Sequence, residues 1–191
     1  MTLITRTVGL WLGLLLCLGL APAVRAEASP LLSFTNGGHV LGFGNDGFYL
    51  SNGSYLFQTT FVGARAVTLQ CAATAPDSVA NGVGTDGAPP LSQVTYPNLW
   101  PGISLRYDGG GGLVRSTYTV AAGANPADIR LQYNVPVQMN SDGSLSLAFE
   151  MGSLAESAPV AWQEIDGRQL PVSVAFQVDS TGREVIYFGQ L

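Results

Sequence analysis

The chain has 191 residues, 47% of them hydrophobic, with thirteen acidic side chains against eight basic ones, all arginine. With cations this scarce, it lacks the Lys/Arg clusters that grip a phosphate backbone or an anionic membrane surface, so nucleic acid and lipid headgroups are not expected partners.

The N-terminus sets the expected compartment. Arg6 precedes the apolar run Val8 to Leu20, and Ala-Pro-Ala-Val-Arg-Ala follows with small residues at Val24 and Ala26. This is the layout of a secretory signal peptide, and the run is short of the ~20 residues a membrane-spanning helix needs. Cleavage is expected after Ala26, leaving no transmembrane anchor. Leu16 precedes Cys17 where a lipoprotein signal needs a small residue, so lipidation is not expected. The remaining 27–191 has the length of one domain and carries six arginines against all thirteen acids, a net charge of −7. Cys71 is then its single cysteine, no internal disulfide is possible, and a hydrophobic core must hold the fold.

From residue 31 onward, runs of alternating apolar and polar residues recur between glycine-rich turns, and no helical spacing persists. In chain order the expected strands are His39 to Phe43, Phe48 to Ser51, Tyr55 to Val62 and Ala66 to Cys71. Leu91 to Tyr96, Ile103 to Tyr107, Leu113 to Val120 and Ile129 to Tyr133 follow. Ser144 to Phe149, Pro159 to Ile165, Pro171 to Val178 and Glu184 to Phe188 complete the set. Val67, Leu69 and Cys71 alternate with Thr68 and Gln70, so Cys71 is read as a buried, inert thiol. Five Asp-Gly pairs, at 46–47, 86–87, 108–109, 142–143 and 166–167, suit type I′ hairpins, whose two central residues need positive φ. Ala72 to Pro90, small and polar, reads as a surface loop. Asn125-Pro126-Ala127-Asp128 reads as one helical turn, capped by Asn125 with Pro126 first. The fold expected is all-β: an antiparallel two-sheet β-sandwich of about a dozen short strands.

Four ordered segments carry a family likeness: Tyr96 to Asp108 (YPNLWPGISLRYD), Val120 to Leu131 (VAAGANPADIRL), Ser141 to Leu147 (SDGSLSL) and Pro159 to Pro171 (PVAWQEIDGRQLP). Phe61-Val62-Gly63-Ala64 adds a weaker match. Together they resemble the uncharacterised β-rich domain at the N-terminus of bacterial surface proteins that carry SBBP (β-propeller type) repeats. The resemblance implies a β architecture and an extracytoplasmic setting, and brings no catalytic or ligand-binding residues. Arg115-Ser116-Thr117 stands where relatives usually have a Glu-Tyr-Asp-like triplet, so any site built on those acids is missing. Relatives continue into propeller repeats, whereas this chain is expected to be either a stand-alone version or a truncated frame.

The chemistry-bearing residues are few. His39 is the single histidine, no Gly-x-Ser-x-Gly elbow occurs, and His39 reads as an ordinary strand residue. One histidine and one cysteine cannot form a tetrahedral zinc site without several carboxylates, and no calcium ladder is present. Glu164 and Asp166, two apart on a strand and about 7 Å from one another, could form a glycosidase pair with Glu150, but Asp166 is explained by its turn. Tyr96, Trp100, Tyr107, Tyr118 and Trp162 could stack on sugars, although aromatics in alternating strands more often pack a core. The chain therefore reads as an exported, non-catalytic structural or adhesive module of a bacterial cell-surface, secreted or periplasmic protein, with no cofactor. Two alternatives stand beside it: a carbohydrate-binding module stacking sugars on Trp100, Trp162 and Tyr96, and a glycoside hydrolase-like enzyme. The strand ending in Val185, Ile186, Tyr187 and Phe188 is expected at a sheet edge, where strand addition with another surface protein or with a second copy would occur.

Overall fold

A computed structural model describes residues 31–72, 88–110, 112–150 and 152–189. The expected signal peptide, the Asp86-Gly87 turn and most of the 72–90 loop lie outside these residues. The chain opens with β1 (Leu32–Asn36), β2 (His39–Gly44), β3 (Gly47–Ser51) and β4 (Leu56–Phe61), followed by β5 (Gln70–Cys71), β6 (Gln93–Trp100), β7 (Ile103–Asp108) and β8 (Arg115–Val120). A 3-10 turn at Pro126–Asp128 leads into β9 (Arg130–Tyr133), and β10 (Val137–Met139), β11 (Leu145–Phe149) and β12 (Gly152–Glu156) come next. The last four are β13 (Ala161–Ile165), β14 (Arg168–Val172), β15 (Val174–Val178) and β16 (Glu184–Gly189). No described helix is long and apolar enough to cross a membrane.

The all-β, antiparallel class is as expected, in four sheets. A seven-stranded sheet runs β1-β2-β3-β4-β9-β16-β15, a four-stranded one β5-β6-β7-β8, a three-stranded one β10-β11-β12, and β13-β14 stand alone as a hairpin. Phe43 and Phe48 of the large sheet meet Tyr107 of the four-stranded sheet at 5.4 and 5.2 Å between ring centres. Phe61 meets Tyr96 and Trp100 at 5.2 and 5.9 Å. Leu145 and Leu147 add the three-stranded sheet to the same core. β-sandwich packing thus holds for these layers, while the β13-β14 hairpin belongs to neither.

Sixteen strands occur among the described residues against the expected dozen. β1, β10 and β12 were not anticipated, and Pro171 to Val178 divides at Ser173 between two sheets. β6 runs on through Pro97, which a strand interior normally refuses for want of an N–H. The ladder with β7 slips between Tyr96 and Trp100, and the proline sits in that slip. Asn98 occupies the left-handed region there, its side chain accepting from Gly102 N at 2.8 Å while its own N–H donates to Ser104 Oγ at 2.9 Å. The 3-10 turn is as expected, with Asn125 Oδ1 accepting from Ala127 N at 3.1 Å.

The Asp-Gly turns are not alike. Asp166 and Gly167 have φ of 52° and 71° and close the β13-β14 hairpin as a two-residue turn, as expected. At Asp46-Gly47 the central pair is instead Asn45-Asp46, because Gly44 pairs with Gly47, and Gly47 has no positive φ. Its glycine is demanded by space: a Cβ there would lie 2.1 Å from the Thr59 carbonyl oxygen. Asp108 ends β7 opposite Arg115 and leads into a longer loop.

Candidate functional site

The structure separates the three proposed stacking aromatics. Trp100 is 1% exposed and donates from Nε1 to Val62 O at 2.9 Å, and Tyr96 is fully buried with its hydroxyl donating to Gly44 O at 3.0 Å. Both are core residues, the role that aromatics in alternating strands favour, which corrects the alternative that has them stacking sugars: the slip in β6 turns Tyr96, Leu99 and Trp100 all inward. Tyr107 continues the buried series of Ile103 and Leu105, and Tyr118 packs against Tyr187 at 4.9 Å. Trp162 differs, with 53% of its surface exposed.

Trp162 lies on the β13-β14 hairpin, whose strands pair only with each other. The register Ala161↔Val172, Trp162↔Pro171, Gln163↔Leu170, Glu164↔Gln169 and Ile165↔Arg168 sorts its side chains, because residues directly opposite share a face and neighbours alternate. One face carries Trp162, Pro171, Glu164 and Gln169, and the other Ile165, Leu170, Gln163 and Arg168. Trp162, Ile165 and Leu170 are all exposed, as is Val160 just before the hairpin. An isolated two-stranded hairpin is marginal in water, and this one carries exposed apolar side chains on both faces.

The candidate catalytic groups do not assemble. Glu164 and Glu150 are exposed, and Asp166 is the first residue of the type I′ turn. His39 is occupied on both ring nitrogens, by Gly37 O at 2.9 Å and the Tyr55 hydroxyl at 3.0 Å. Cys71 is partly buried against the core, on the apolar side of the expected alternation, and burial pushes its thiol up, away from the reactive thiolate. Among the described residues no three His, Cys, Asp or Glu side chains converge as metal ligands. Arg115 pairs with Asp108 at 2.9 Å across β7 and β8.

The expected edge strand is an inner one. Glu184, Val185 and Ile186 pair with β9, and Val185 to Gly189 pair with β15, so the backbone of Val185 and Ile186 is bonded on both sides. Val185 and Tyr187 point into the core. Of Phe188 only the backbone is described. Strand addition through this segment is therefore corrected: the chain returns after the β15 turn to fill the gap beside β9, which a reading of the linear order could not reveal.

One group escaped sequence reasoning altogether. Glu156, at the end of β12, directs its carboxylate inward and accepts from the hydroxyls of Tyr133 at 2.9 Å and Tyr187 at 3.4 Å. Burial raises its pKa, against the lowering effect of those two bonds. Burial likewise pushes the hydroxyls of Tyr107, Tyr118, Tyr133 and Tyr187 well above their ordinary range. With its oxygens engaged by β9 and β16, Glu156 latches the three-stranded sheet to the large one. Within β12, Leu154 and Glu156 alternate with the exposed Ser153 and Ala155, which places both on the inward side.

These observations define a class, an antiparallel β module with a closed aromatic core and a free-standing hairpin. The chain belongs to a domain family of unknown function, DUF7948, whose model matches residues 52–189, from the β3-β4 turn to the end of β16. No curated protein and no solved structure matches it.

Proposed function

We propose that this chain is an exported, non-catalytic structural or adhesive module of a bacterial cell-surface or secreted protein, and that the β13-β14 hairpin is its contact element. The observation that carries this reading is the exposure of Trp162, Ile165 and Leu170 on a hairpin that no other sheet covers. The signal-peptide pattern of residues 1–26 supports export, and the four ordered segments support kinship with the domains that precede SBBP-type propeller repeats. N-terminal sequencing of the protein recovered outside the cytoplasm is expected to begin at Glu27; a start that retains Leu10 to Leu20 would point to an anchor instead. Contact is tested by cosedimenting the exported protein with cell envelopes. A Trp162→Ala, Ile165→Ser, Leu170→Ser variant is expected to stay folded and to remain in the supernatant. Unchanged sedimentation of that variant would refute the hairpin's role.

A further inference from the structure

We infer that the hairpin face formed by Trp162, Pro171, Glu164 and Gln169 binds a neutral polysaccharide. This rests on the reading of the hairpin as the contact element and adds the ligand class. The register sets Trp162 directly across from Pro171, and Glu164 across from Gln169, on one face. Cross-strand neighbours of this kind lie about 5 Å apart and successive same-face residues about 7 Å along the strand. The indole and proline rings thus make a flat apolar platform beside a carboxylate and an amide. All four residues are exposed, and the strands of the hairpin pair only with each other among the described residues.

The chemistry of the four chooses among occupants. A purely apolar partner would strip water from the Glu164 carboxylate and return no hydrogen bond, at a cost of several kcal/mol. A sugar presents a C–H face to the indole and hydroxyls around its rim. Those hydroxyls donate to Glu164, which only accepts, and exchange bonds in both directions with Gln169. The face holds no cation, since Arg168 lies on the opposite side. The next residue after Ile165 is the acidic Asp166, and the whole chain contains no lysine. Nucleic acid and anionic glycans are therefore repelled, leaving neutral sugars.

The test is affinity electrophoresis of the exported protein through gels containing neutral polysaccharides (β-glucan, xylan, mannan and starch) or anionic polygalacturonate, with circular dichroism of every variant. Retardation by at least one neutral polymer and none by polygalacturonate is expected. Trp162→Ala should weaken it at least tenfold, Trp162→Phe should keep part of it, and Glu164→Gln should weaken it severalfold. Met139→Ser, at an exposed position on β10 away from the hairpin, should leave it unchanged. Trp100 is buried, so bound sugar should shift the fluorescence contributed by Trp162 and leave the Trp162→Phe spectrum still. Absence of retardation by every neutral polymer, retardation that survives Trp162→Ala, or equal loss in Met139→Ser would overturn the assignment. Envelope sedimentation that persists without polysaccharide binding would leave the contact role standing and the ligand class wrong, whereas loss of both would remove both.

Discussion

Gly47→Ala isolates a demand that the turn sequence conceals. A methyl group at Gly47 would lie 2.1 Å from Thr59 O, 3.1 Å from Thr59 C and 3.3 Å from Thr60 Cα, all backbone atoms that no side-chain rotation can move. The end of the β3-β4 ladder must open. With it go the Phe61 N–H bond to Asp46 O at 3.0 Å and the bond that the single proton of the buried Tyr96 hydroxyl shares between the carbonyls of Gly44 and Gly47, at 3.0 and 3.4 Å. Two bonds at about 1 kcal/mol each, with about 1–2 kcal/mol more for a buried hydroxyl left unpaired, give roughly 3–4 kcal/mol. That is much of the ~5–15 kcal/mol by which a domain is stable. Urea unfolding of the exported protein measures it, with Gly143→Ala as comparison. Gly143 has φ of 81° and its nearest atom, the Ala158 Cβ, at 3.5 Å, so only the left-handed penalty of about 1–2 kcal/mol applies. A Gly47→Ala loss no larger than that of Gly143→Ala would show that the ladder yields easily and would refute the close-approach reasoning.

Two further outcomes follow from the titrating groups and the turns. The folded-state pKa of Glu156 is raised above its ordinary 4.5, so the folded form holds its proton more tightly and stability falls as pH rises from about 4.5 through the folded value. Asp179 is held well below 3.8 by the Glu184 N–H and the Thr181 hydroxyl, so its contribution is present above 3.8 and lost as pH falls toward its folded value. The thermal midpoint should decline on both sides of mildly acidic pH, and Glu156→Gln should remove the decline on the alkaline side; parallel curves for the two proteins would sink this. At the β13-β14 turn, Asp166→Asn should stay within about 0.5 kcal/mol of the parent because Asn-Gly forms the same turn, while Asp166→Ala should cost about 1–2 kcal/mol. A screen on polysaccharide and ester substrates should show no turnover, and turnover abolished by Glu164→Gln would overturn the non-catalytic reading.

What the sequence revealed followed from local rules. Period-two alternation located the inward face of β7 and the side of the Val67-Leu69-Cys71 segment that packs on the core, although of the expected strand Ala66 to Cys71 only Gln70 and Cys71 pair, and the Asn125-Pro126 pair located the 3-10 turn, because each depends on residues within a few positions. What it concealed was set by distant partners. β1, whose sequence is Leu-Ser-Phe-Thr-Asn, is defined by pairing with β2 and by the segment near Pro90 that bonds to Thr35. Gly47 reads as a turn glycine until Thr59 is placed against it, and β16 reads as an edge until β9 is placed beside it. Glu156 could be seen to face inward only once β12 was known to be a strand.

The segments that carry the family likeness divide along the same line. In Tyr96 to Asp108, Tyr96, Leu99, Trp100, Ile103 and Leu105 fill the core, while Asn98, Gly102 and Ser104 hold the bulge and turn between them. Asn125 and Pro126 set a turn, and Asp142 and Gly143 bend β10 into β11, with Asp142 Oδ1 accepting from Ser144 N at 3.0 Å. Each of these residues is explained by the fold. In Pro159 to Pro171 only Asp166 and Gly167 are explained that way. Trp162, Ile165 and Leu170 lie outside the core, and about half of the surface of each gains no burial from folding. On the proposed reading a contact covers that surface, and the polar Glu164 and Gln169 beside Trp162 suit a ligand able to offer hydrogen bonds along with an apolar face.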